Sequence, residues 1–65
     1  MGFRERFREL RIGRGMSQAG MDDYFGLMPG TARKWENGWD KPEEELLEDI
    51  AGYFRVKVHE LTDEV

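Results

Sequence analysis

With 65 residues, 38% of them hydrophobic, no cysteine and one histidine, the chain has material for one modest core. That excludes a large catalytic cleft, disulfides, cysteine nucleophiles and thiolate or histidine metal sites. The net charge of −4 argues mildly against a nucleic-acid partner, but residues 1–35 hold seven Lys or Arg against four Asp or Glu, while residues 36–65 hold three against ten. A basic face can therefore exist on an acidic protein, and the local field governs contact with phosphates.

The first predicted element covers Phe3–Gly13, where Phe3, Phe7 and Leu10 make one helical stripe and Arg4, Glu5, Arg6, Arg8 and Glu9 fill the other face. Gly13 and Gly15 should end it. Ser17 then reads as an N-cap, its hydroxyl accepting a free backbone N–H. Met21, Tyr24 and Phe25 give the second helix an i, i+3, i+4 face, and Gly26 closes it. In Met28-Pro29-Gly30 a break is followed by a new start, because Pro is tolerated at a first helical position. The helix continues through Thr31–Glu36 with Ala32 and Trp35 inward and Arg33 and Lys34 outward; alternatively Thr31 is the N-cap and the helix has little more than one turn. Asn37-Gly38 stops it.

Residues 39–42 read as a loop, with Trp39 packing over the fourth helix in preference to standing exposed toward a partner. Glu43, Glu44 and Glu45 occupy that helix's first turn, where acids suit the macrodipole. Three successive acids point in different directions around a helix, so they do not form a metal site. Leu46, Leu47, Ile50, Ala51, Tyr53 and Phe54 supply the apolar face. Val56, Val58 and Leu61 alternate as in a strand, but a short final helix around Val58–Leu61 is the preferred reading. Met16, Met21 and Met28 read as gap-fillers and His59 as a surface residue. The expected core is Phe7, Leu10, Met21, Phe25, Trp35, Leu47, Ile50 and Phe54. No stretch approaches 18 apolar residues, and the arginine-rich start lacks the apolar run of a secretory signal. The expectation is a single soluble cytoplasmic domain over residues 1–65, all-α, with five helices.

The order of elements, with two helices joined across Gly26-Leu27-Met28, is that of a helix-turn-helix. Three groups of residues add to this: Phe7-Arg8-Glu9-Leu10-Arg11 with Gly15-Met16-Ser17-Gln18; Lys34-Trp35-Glu36-Asn37-Gly38; and Lys41-Pro42 followed by Ile50-Ala51. Over about residues 5–61 the chain resembles the phage-repressor/Cro-type (XRE-like) helix-turn-helix family. The resemblance implies a compact, lambda-repressor-like five-helix bundle that binds double-stranded DNA. It places Gln18 on phosphate, and sometimes on a base, at the start of the helix that lies across the backbone. It makes residues 28–36, with a helix from about 29 to 36, the recognition element in the major groove. Met28, Pro29, Gly30 and Thr31 stand at its start, Arg33 and Lys34 further along. Asn37 and Lys41 match a loop that grips phosphate. Arg11 and Glu36 match a pair that ties helix 1 to the end of helix 3.

The chain departs from the family at several of these positions. Pro29 and Gly30 match the principal base readers but have no side-chain donor, so neither can make the bidentate bonds that distinguish base pairs. Asp22 stands where relatives often have a small apolar residue, and Arg55 where they often have a left-handed Gly. Gly20 and Gly52 fall inside helices, at roughly 1 kcal/mol each relative to Ala. The leading expectation is a non-enzymatic transcriptional regulator without a cofactor. It would bind palindromic half-sites as a homodimer through Val56, Lys57, Val58 and Leu61. The alternatives are a redesigned or diverged helix-turn-helix scaffold without DNA-binding activity, and an antitoxin-like protein-interaction module.

Overall fold

A computed structural model describes residues 2–62. They form five helices: α1 (Phe3–Gly13), α2 (Gln18–Tyr24), α3 (Thr31–Glu36), α4 (Glu44–Phe54) and α5 (Val58–Thr62), with no strand among the described residues. The Gly2 N–H at the start of α1 donates to Glu5 Oε1 at 3.1 Å. Ser17 caps α2 as its sequence suggests, its Oγ accepting the Gly20 N–H at 2.9 Å. Glu43 is the extended residue before α4, so only Glu44 and Glu45 of the acidic run lie in the first helical turn. The alternation of Val56, Val58 and Leu61 does not build a strand; the Lys57 N–H donates to Glu60 Oε1 at 2.8 Å and α5 follows.

α1 packs on α3 and α5, α2 on α3, and α4 on α5. Phe7 is the centre of the core, fully buried, with ring centroids of Phe3, Trp35 and Phe54 at 5.3, 5.5 and 6.4 Å. Met21, Trp35, Ile50 and Phe54 are buried around it as expected, joined by Ala32, Ala51 and Leu61. Leu10, Phe25 and Leu47 are only partly buried and pack against this cluster from its rim. A short chain has more apolar stripe than interior, so the outermost member of each stripe stays wet.

Three further expectations need correction. Leu61 has no exposed surface: α5 folds back on α1 and α4, and its apolar residue completes the core instead of a dimer face. Trp39 does not pack over α4 but is 71% exposed, while Pro42 is the buried residue of that loop. Met28 fills no gap; it is 79% exposed.

Candidate nucleic-acid interface

The link between α2 and α3 runs from residue 25 to residue 30 and sets where the second helix begins. Helix α3 starts at Thr31, not near residue 29. The reason is Gly30, whose φ of 90° and ψ of −1° lie in the left-handed region and interrupt any helix begun at Pro29. The Met28 carbonyl accepts the Thr31 N–H at 3.1 Å and the Thr31 hydroxyl at 2.7 Å. Met28-Pro29-Gly30-Thr31 is thus a turn with Pro second and a left-handed Gly third, the pattern of a type II turn. Pro29 and Gly30 have a conformational role here that side-chain chemistry could not supply.

A glycine N-cap leaves the first N–H groups of α3 without a local side-chain acceptor. Asp22 on α2 provides one. Its Oδ2 accepts the Gly30 N–H at 2.9 Å and its Oδ1 the Ala32 N–H at 2.8 Å. Asp22 is 5% exposed. Its negative charge sits at the positive end of the helix dipole. In the sequence Asp22 stands out only as a departure from the family. The signal that could have found it is a Pro-Gly turn opening a helix with no cap of its own.

The other end of α3 is fixed as firmly. Arg11 Nε and Nη2 donate to Glu36 Oε2 and Oε1 at 2.7 and 3.1 Å, the two-point geometry expected of a guanidinium and a carboxylate. Arg11 Nη1 donates to the Met16 carbonyl at 2.8 Å. The two side chains are 12% and 6% exposed. Gln18 Nε2 donates to Glu36 Oε1 at 3.2 Å, so Gln18 faces this buried pair. One cluster therefore joins the end of α1, the start of α2 and the end of α3.

Between these fixed ends, α3 buries Ala32 and Trp35 and exposes Arg33 and Lys34. Among the described residues, neither cation has a carboxylate partner. Met28, Pro29 and Gly30 are exposed before the helix, Asn37 and Lys41 after it, and Thr31 is partly buried. The exposed Asp23 of α2 lines the shallow depression between the two helices, opposite Pro29 and Arg33. The acids of α4 lie on a helix that packs on α5 and whose Tyr53 ring meets Tyr24 and Phe25 at the end of α2, at 4.5 and 5.7 Å. No group of residues among those described could hold a metal ion.

Two helices clasped at both ends, with the second presenting cations outward, define a helix-turn-helix protein. A helix-turn-helix family model matches residues 7–61, and the chain belongs to that family, of the XRE/Cro type. The family is one of DNA-binding regulators. None of the curated proteins compared with the chain matches it. No helix among the described residues is long and apolar enough to cross a membrane.

Proposed function

We propose that this chain is a DNA-binding transcriptional regulator whose α3 enters the major groove while α2 lies across the backbone. The observation that carries this reading is the outer face of α3, where Arg33 and Lys34 stand exposed on a helix whose position is fixed at both ends. Arg33 and Lys34 meet phosphate or a guanine edge, and Asn37 and Lys41 hold phosphate beyond the helix. Gln18 supports the site by steadying Glu36 as much as by touching DNA. The domain works without a cofactor and pairs into a homodimer on twofold half-sites. With Leu61 in the core, Lys57 and the outer edges of Val56 and Val58 remain for that pairing.

The test is selection from random-sequence duplex, followed by binding measurements at several salt concentrations. Each phosphate contact adds about −0.9 to the slope of log affinity against log salt. Arg33→Ala with Lys34→Ala should flatten that slope by about two contacts per subunit. Absence of binding at low salt would overturn the reading and favour the scaffold without DNA-binding activity.

A further inference from the structure

In the turn that opens α3, several donors are already committed within the protein. The Gly30 and Ala32 N–H groups are bonded to Asp22, and the Thr31 N–H and hydroxyl to the Met28 carbonyl. Pro29 has no N–H, and Met28 has no side-chain donor. The side chains that this turn offers to a base are therefore apolar. Met28 is 79% exposed, the highest value among the exposed large hydrophobic residues, and the exposed Pro29 ring adjoins it. An exposed methionine at the head of the turn does nothing for the core, which is complete without it.

The feature of the major groove that apolar side chains recognise is the C5-methyl group of thymine. Adenine, guanine and cytosine present only hydrogen-bonding atoms there, which the apolar side chains of Met28 and Pro29 do not satisfy. We infer that Met28, with Pro29 beside it, reads a thymine methyl group in each half-site, so that base selection at the tip of α3 is apolar. The inference rests on the regulator reading above and adds the base it selects. The thioether chain is unbranched and flexible, and it follows a methyl group without demanding a fixed hydrogen-bond geometry. Discrimination at this position is modest, because one methyl-sized contact is all that separates thymine from uracil.

The experiment uses the duplex enriched from the random pool, with each thymine replaced in turn by deoxyuridine, which removes only the methyl group. Wild type should lose about fourfold in affinity at one thymine per half-site, the value of a buried methylene-sized group. Met28→Ala, at an exposed position that leaves the fold intact, removes the contact in both subunits and should bind the thymine duplex about sixteenfold more weakly. It should also become indifferent to uracil at that same position. Salt-sensitive binding with no enriched sequence, or with an enriched site indifferent to uracil, overturns this inference alone. So does a Met28→Ala protein that keeps full sensitivity to uracil. If wild type binds no duplex at low salt, the regulator reading fails and this inference fails with it.

Discussion

Asp22 reaches from α2 to accept the Ala32 N–H at 2.8 Å, and in doing so supplies the cap that α3 lacks in its own sequence. The second oxygen of the carboxylate holds Gly30 at 2.9 Å, so the turn and the helix it opens are fixed by one side chain. The joint is electrostatic as well as steric. A carboxylate meets two N–H groups at a helix start, where the macrodipole favours negative charge.

Asp22→Ala should destabilise the fold by about 2–3 kcal/mol, since hydrogen bonds to charged groups are worth about 1.5–3 kcal/mol and the buried donors are left unsatisfied. Asp22→Asn keeps one carbonyl oxygen for Ala32 but turns an NH2 group toward the Gly30 N–H. Its loss should be smaller, about 1–2 kcal/mol. Urea unfolding midpoints would order the three proteins, and an unchanged midpoint for Asp22→Ala would remove the cap from the account.

The Arg11–Glu36 pair leads to a different pattern. Removing one partner strands a nearly buried charge, so Arg11→Ala or Glu36→Ala should each cost about 3–5 kcal/mol. Replacing both with apolar residues of similar size removes the desolvation cost along with the attraction, so Arg11→Met with Glu36→Leu should be less destabilised than either single variant. The Gln18 and Met16 groups that also meet this pair lose their partners in the double variant, which limits its recovery. A double variant as unstable as the two losses added together would show that the pair is not a coupled unit.

Much of this fold was legible in the residues. Ser17, Gly26, Gly38 and the acidic turn of α4 punctuate the chain by local chemistry, and local chemistry is readable one residue at a time. The spacing of Phe3, Phe7 and Leu10 gave α1 its inner face for the same reason. Asp22, Met28 and Leu61 were harder because their roles are set by elements distant in sequence. Asp22 looks out of place until the Pro29-Gly30 turn brings uncapped N–H groups beside it. Leu61 resembles surface until α5 closes on α1 and α4. The Arg11–Glu36 pair came from the family resemblance, and its geometry needed coordinates.

Trp35 and Trp39 offer a direct optical check on the core. Trp35 is 3% exposed and Trp39 is 71% exposed. Trp39→Phe should leave a blue-shifted emission that acrylamide quenches poorly, and Trp35→Phe a red-shifted emission that it quenches well. Trp35→Ala should cost about 3–5 kcal/mol, which approaches the whole folding free energy of so small a domain. Trp39→Ala should stay within about 0.5 kcal/mol of wild type, as surface substitutions do. Equal quenching of the two single-tryptophan proteins would contradict the burial of Trp35.

The end of α4 leaves stability to be gained. Arg55 caps it with φ 59° and ψ 42°, a left-handed conformation that disfavours any residue with a Cβ. Three residues earlier, Gly52 sits inside the helix, and a Cβ placed there would meet nothing within 4 Å. The chain thus has a glycine where a helix former fits and an arginine where a glycine fits. Gly52→Ala should raise stability by about 1 kcal/mol through helix propensity. Arg55→Gly removes about 1–2 kcal/mol of backbone strain but gives back part of it in the greater freedom of the unfolded chain, for a net gain of about 0.5–1 kcal/mol. The Arg55 N–H donates to the Gly52 carbonyl at 3.2 Å, so the two sites are in contact and each substitution is to be measured singly as well as together. In a domain of this size each substitution should raise Tm by several degrees, since 1 kcal/mol corresponds to about 4–8 °C. The sign is the decisive readout: a lower Tm for Arg55→Gly would mean that the arginine side chain contributes more at the surface than its backbone conformation costs.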